Sequence, residues 1–158
     1  MTGDIVPTIG QPAPGFILPA NGGRTISLAD LRGRAVVVYF YPKDDTSGCT
    51  REALDFTATA AEFEAAGTVV IGVSKDTLKK HEKFLEKHCF TVILASDADG
   101  DLCQRYGTWI EKSMYGRRYM DIERASFLID AAGMLRREWR KVSVPGHVTD
   151  VLAAARML

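Results

Sequence analysis

The chain has 158 residues, and its 20 Lys and Arg are matched by 20 Asp and Glu, so net charge gives it no pull toward nucleic acid or an anionic membrane. Three cysteines, odd in number and irregularly spaced, do not make the disulfide framework of a small secreted protein. They point instead to a reducing cytoplasm, where a cysteine is either buried or chemically used. The opening "MTGDIVPTIG" has neither the basic nor the apolar region of a secretory leader, and no apolar run reaches the length of a membrane span. A single domain over 1–158 is expected.

Taken in chain order, Phe16 to Leu18 and Arg24 to Ser27, split by "NGG", predict a hairpin. "AVVVYFY", Ala35 to Tyr41, is a β-branched and aromatic run with both faces apolar, as in a central strand. Pro42 ends it. From Gly48 to Ala66 the apolar residues Ala53, Phe56, Ala60 and Phe63 repeat at helical spacing, and Gly67 closes the helix. "TVVIGVS" predicts a second buried strand. Ser74 or Asp76 can cap a helix from Thr77 to His88 with Leu78, Phe84 and Leu85 inward. "TVILAS" is a third strand, "DADGDLCQRYG" a short helix, and "YGTWIEKSMYGRRYM" a long loop. "ASFLID" and "MLRREWR" form a second hairpin before a last helix, Val148 to Met157. This order predicts an α/β fold with a thioredoxin-like layout: a central mixed sheet flanked by helices, with an N-terminal β-hairpin.

The segment "YFYPKDDTSGCTREALDF" puts Cys49 in the first turn of a helix. There the backbone N–H groups lack intrahelical partners and, with the helix dipole, favour a negative charge such as a thiolate. That helix end is worth about 0.3–2 kcal/mol, too little alone to ionise a thiol of ordinary pKa, about 8.5. A nearby cation has to supply the rest. Thr46 can hydrogen-bond the thiol or a bound oxygen, and Pro42 fixes the strand exit. On position alone, a chemically inert helix-start cysteine and a simple threonine cap remain open.

The spacing Pro-x-x-x-Thr-x-x-Cys resembles the active-site loop of the peroxiredoxins. "FYPKDDTSGCTREALDF" resembles in particular the bacterioferritin comigratory protein group, also called peroxiredoxin Q. "GQPAPGFILP", "VIGVSKDTLKKHEKF", "LASDADGDLCQRYGTW", "EKSMYGRRYM" and "ASFLIDAAGML" are similar to segments of the same group, so the likeness covers nearly the whole chain. It implies that Cys49 attacks peroxide, that Pro42 shields it, and that Thr46 hydrogen-bonds the incoming peroxide. It also implies that Arg124, in "ERASFLID", is the missing cation. Otherwise Arg124 reads as a solvated charge with Asp121 and Glu123 as partners. Glu52 and Tyr41 are supporting residues on the same resemblance. The implied activity is a thiol-dependent peroxidase acting on hydrogen peroxide and organic hydroperoxides through a Cys49 sulfenic acid. It is recycled by thioredoxin or another thiol and uses no metal or organic cofactor. A monomer is implied, with a weak dimer as the alternative.

The pattern breaks in two places. Many members carry a resolving cysteine five residues after the first; here that position is Leu54. Ser47 also stands where proline is frequent. Cys89 ends the second long helix, about one turn beyond where a subset of the group puts its resolver, and is either a resolving cysteine or a small buried hydrophobe. Cys103 reads as helix-face packing. His81 and His88, two turns apart, read as solvated. Trp109 and Tyr115 either line the active-site rim or pack a loop. Two other functions share the scaffold: a peroxide sensor or holdase, and a thiol–disulfide oxidoreductase, the latter disfavoured because Cys-x-x-Cys is absent.

Overall fold

The computed structural model describes residues 7–158; "MTGDIV", where the reading for a leader begins, lies outside them. The elements, in chain order, start with β1 (Ile17–Ala20) and β2 (Arg24–Ser27). They form the expected hairpin, Leu18 opposite Ile26, and its turn uses Gly22 and Gly23, both at positive φ, as such a tight reversal requires. There follow β3 (Ala35–Phe40), α1 (Ser47–Ala58), α2 (Ala60–Ala65), β4 (Thr68–Ser74), α3 (Leu78–His88), β5 (Ile93–Ser96) and α4 (Leu102–Arg105). The chain closes with β6 (Trp109–Met114), β7 (Arg117–Ile122), β8 (Ala125–Ile129), β9 (Leu135–Trp139) and α5 (His147–Arg156).

Seven strands make one sheet in the order β2-β1-β5-β4-β3-β8-β9. β3 pairs in parallel with β4 and antiparallel with β8, so the sheet is mixed. β3 is buried along its whole length, because its alternating side chains serve two cores. Val36, Val38 and Phe40 face one cluster with Leu102, Cys103 and Tyr106 of α4 and its C-terminal end. Val37, Tyr39 and the following Tyr41 face the other, with residues of α1, α2, α3 and α5. Cys49 belongs to the second cluster.

Three local expectations change. The helix predicted from Gly48 to Ala66 is broken into α1 and α2 at Thr59 (φ −107°, ψ 12°). The Thr59 hydroxyl donates to the Asp55 carbonyl four residues back, at 2.9 Å, a bond that bends helices. The cap of α3 is Thr77, whose Oγ1 accepts from the Lys80 N–H at 3.3 Å, rather than Ser74 or Asp76. And residues 109–122, read as loop, form a separate two-stranded sheet of β6 and β7. Its turn is Tyr115–Gly116, both at positive φ. Among the described residues, no helix is long and apolar enough to cross a membrane.

Candidate active site

β3 delivers the chain to Pro42, which is half-buried, and the segment to Thr46 carries it into α1. Asp45 takes a left-handed conformation (φ 62°), which Asp tolerates better than most residues. Thr46 is the N-cap residue with extended backbone (φ −91°, ψ 156°). Its carbonyl accepts the Thr50 N–H at 2.8 Å. Its hydroxyl donates to the Lys43 carbonyl at 2.9 Å, so it braces the loop and leaves oxygen lone pairs free to accept. Cys49 is the third residue of α1, within the turn whose N–H groups have no partner inside the helix, and its side chain is 2% exposed.

Arg124 reaches this sulfur from the junction of β7 and β8. Its Nη2 donates to Cys49 Sγ at 3.3 Å and its Nη1 to Glu52 Oε1 at 2.6 Å. The guanidinium crosses directly over Gly48, where a Cβ would stand 3.1 Å from Nη2. That approach is a reason for glycine just before the cysteine. The alternatives for Arg124, Asp121 and Glu123, pair instead with Lys112 at 3.1 Å and Arg140 at 3.7 Å. Cys49 and Glu52 share one face of α1, one turn apart, so a single planar fork serves both.

Glu52 is fully buried, and its Oε2 finds no hydrogen-bond partner among the described residues. Burial pushes its carboxyl up to about 7, against the pull of Arg124. Tyr39, stacked on Phe56 with ring centroids 4.5 Å apart, also has a hydroxyl without a partner among the described residues. Its pKa is raised well above the usual value by burial first, then by Glu52 and Cys49.

Tyr41 belongs to a second polar group. Its hydroxyl donates to Asp44 Oδ1 at 2.5 Å, while Asp44 Oδ2 lies 2.6 Å from His81 Nδ1. The Asp44 N–H donates to Asp76 Oδ2 at 2.7 Å, and so does the Ser74 hydroxyl at 2.9 Å. His81 is therefore not solvated, as the sequence suggested, but fully buried, three and four residues before Phe84 and Leu85 on the inward face of α3. His88 is half-buried and lies 3.0 Å from Asp45 Oδ1. The ligand atoms of Asp44, Asp76 and His81 come within 4.8 Å of one another, each already engaged by hydrogen bonds.

The other candidates lie apart from this fork. Leu54 is an exposed residue of α1. Cys89 is exposed and caps α3 in the left-handed conformation (φ 56°), so it is not the buried hydrophobe allowed for above. Cys103 is buried in the opposite core, and burial followed by Asp97 pushes its thiol well up. Tyr115 is 96% exposed at the tip of the β6–β7 hairpin, and Trp109 packs against the opposite core.

The arrangement is a cysteine at a helix start with a cation held on its sulfur, suited to forming a thiolate and to stabilising a second developing negative charge beside it. Comparison with known proteins agrees. Residues 9–138 match the model of the AhpC/TSA family. The chain is 46% identical over 144 residues to peroxiredoxin Bcp of Bacillus subtilis, covering 91% of this chain and 92% of that protein. It is 45% identical over 147 residues to peroxiredoxin Bcp of Xanthomonas campestris, covering 92% of each. A structure of Xanthomonas campestris peroxiredoxin Q superposes with a TM-score of 0.86 at 44% identity over 90% of each chain. One of the bacterioferritin comigratory protein from the same organism, solved to examine its alkyl peroxide reduction activity, gives 0.85 at 43% over 90% of each. The chain belongs to the AhpC/TSA family, in its Bcp or peroxiredoxin Q group, and is a thiol-dependent peroxidase.

Proposed function

We propose that Cys49 is the residue that attacks peroxide, reducing hydrogen peroxide and organic hydroperoxides, and that an external thiol restores it. The observation that carries this reading is the Arg124 fork, 3.3 Å from Cys49 Sγ and 2.6 Å from Glu52 Oε1. The alkyl peroxide reduction activity attributed to the Xanthomonas campestris relative supports the organic substrates.

In the first step the Cys49 thiolate attacks one peroxide oxygen. An S–O bond forms and the O–O bond breaks, so sulfur is oxidised to the sulfenic acid and the peroxide is reduced to an alcohol or water. The departing oxygen carries the electron pair and takes up a proton. The Arg124 guanidinium, already at the sulfur, and the free N–H groups of the α1 start stabilise that oxygen as charge develops. Thr46, its proton engaged by Lys43, accepts from the peroxide O–H and orients it. Pro42 covers the loop.

In the second step a thiol attacks the sulfenic sulfur, releasing water and leaving a mixed disulfide, which a second thiol resolves. With Leu54 in the commonest resolver position, thioredoxin or another cytoplasmic thiol is the direct partner. Cys89, exposed at the end of α3, is the intramolecular candidate.

The test is to oxidise the protein with one equivalent of peroxide, block free thiols and map the products in wild type, Cys89→Ser and Cys103→Ser. Cys49 is expected to oxidise first, as a sulfenic acid or a mixed disulfide with added thiol. A Cys49–Cys89 bridge would assign the resolver. If Cys49→Ser still removes peroxide at the wild-type rate when a thiol is supplied, the reading fails.

A further inference from the structure

At 2% exposure, the Cys49 sulfur is not open to the thiol of another protein. Whatever reduces the sulfenic acid therefore requires the start of α1 and the loop before it to move. The question is what holds that loop shut. Apolar packing contributes little: the loop and α3 are separated by a cavity of about 310 Å³ lined by Lys43, Asp45, Lys80, Lys83, Phe84 and Lys87 among others. The contacts that span it are polar, and they concentrate on two consecutive aspartates.

Asp44 is the inner one. It is nearly buried, and its carboxylate is held by the Tyr41 hydroxyl at 2.5 Å and by His81 Nδ1 at 2.6 Å. His81 Nε2 lies 3.0 Å from the Ala95 carbonyl of β5. A carbonyl only accepts, so His81 is the donor on the Nε2 side, and its ring is held between Asp44 on the loop and the Ala95 carbonyl of the sheet. The pair is short and sits in a dry setting, where polar contacts are strong and costly to leave half-made. Asp45 is the outer one. It bonds Lys87 Nζ at 2.7 Å and lies 3.0 Å from His88 Nε2, at the far end of α3. The two aspartates thus tie one loop to both ends of one helix, within five residues of Cys49.

We propose that Asp44–His81, seconded by Asp45, is the latch that sets the balance between a closed loop able to react with peroxide and an open loop able to meet a reductant. His81 and Asp44 are positioning residues. They touch neither sulfur nor substrate and act through the loop. The inference rests on Cys49 being the reacting thiol. It follows that weakening the latch moves the two half-reactions in opposite directions. Peroxide attack slows, because the helix start and Thr46 are less well placed. Reduction by thiol quickens, because the sulfur is exposed more often.

The experiment uses His81→Gln and Asp45→Asn, with Leu135→Ala in the opposite core as a control for general loss of stability. Two rates are read in each: the second-order reaction of the reduced protein with hydrogen peroxide, and the reduction of the singly oxidised protein by thioredoxin. For His81→Gln the first is expected to fall about tenfold, as misplacement of a reacting group does, and the second to rise severalfold. Asp45→Asn removes the charge that faces Lys87 and His88 on an exposed side chain and keeps a residue that tolerates the left-handed backbone; it gives the same signs with smaller size. Leu135→Ala leaves the ratio of the two rates unchanged. Both rates falling together, or neither moving, in Asp45→Asn and in any folded His81→Gln overturns the latch. Full peroxide turnover by Cys49→Ser would instead overturn the assignment of the thiol beneath it.

Discussion

Arg124 and Cys49, 75 positions apart in the chain, meet at 3.3 Å between Nη2 and Sγ. The same guanidinium gives its other terminal nitrogen to Glu52 at 2.6 Å. Only a planar fork fits both. A lysine ammonium is a single point charge and cannot sit on carboxylate and sulfur in the same geometry. Arg124→Lys is therefore expected to lower the rate with peroxide by about 100- to 1,000-fold, the usual cost of removing one donor from a developing oxyanion. Stopped-flow measurement of the first step checks this, and an unchanged rate would show that net charge alone suffices.

How much of this was readable from the chain depends on where the partners lie. The active-site loop was legible because its parts are contiguous: "AVVVYFY" marks a strand buried on both faces, and Pro42, Thr46 and Cys49 fall within eight residues. The Arg124 fork was legible only through family likeness, since nothing local separates a buried arginine from a solvated one. His81 reads as solvated because α3 is crowded with Lys79, Lys80, Glu82, Lys83, Glu86 and Lys87, which signals solvent. Its spacing to Phe84 and Leu85 was the clue to the inward face. The β6–β7 hairpin left no alternation to find, because most of its side chains on both faces are exposed. The break at Thr59 rests on a hydroxyl bond that periodicity does not register.

Glu52 gives the protein a distinctive pH dependence. Its carboxyl is raised from 4.5 to about 7 by burial, so between those values the folded chain holds a proton that the unfolded chain releases. Its contribution is fully present below pH 4.5 and is lost as pH rises through 7. At about 1.36 kcal/mol per pH unit, the whole change is on the order of 3 kcal/mol. Glu52→Gln, which cannot ionise, lacks this slope. Urea unfolding of both proteins at pH 5 and pH 8 should show Glu52→Gln gaining on wild type at the higher pH. A constant difference would mean that Glu52 titrates in the ordinary carboxylate range.

His147 works in the opposite sense. Burial lowers its imidazole from 6.5 to about 4, and its Nε2 lies 2.7 Å from the Ser126 hydroxyl. The unfolded chain takes up this proton first, so stability is lost as pH falls from 6.5 toward 4. An NMR titration should find one histidine with a midpoint near 4, and that signal should vanish in His147→Gln.

Gly72 lies under the active-site face of the sheet, opposite Tyr39 in β3. A Cβ there would stand 2.6 Å from Tyr39 Cζ, 2.7 Å from its hydroxyl and 2.8 Å from Leu94 Cδ2, all closer than real atoms approach. Gly72→Ala must push the Tyr39 ring out of its stack on Phe56, at a cost of about 1–3 kcal/mol. Since Phe56 is a residue of the helix that carries Cys49, the peroxide rate should fall along with the melting temperature.

Leu54→Cys tests the missing resolver directly. Residues five apart on a helix are separated by about 7.5 Å along its axis, beyond the ~7 Å Cα limit of a disulfide. A bridge from Cys49 therefore forms only if the first turns of α1 unwind. Leu54 is exposed, so the substitution disturbs no core. After one equivalent of peroxide the variant is expected to lose two free thiols and gain an intramolecular disulfide, seen by mass spectrometry. If α1 cannot open, the introduced thiol stays free and Cys49 remains a sulfenic acid. Pairing the variant with His81→Gln then connects the two ideas. A looser latch should speed closure of the new bridge, because the step that limits it is the same unwinding that a reductant needs.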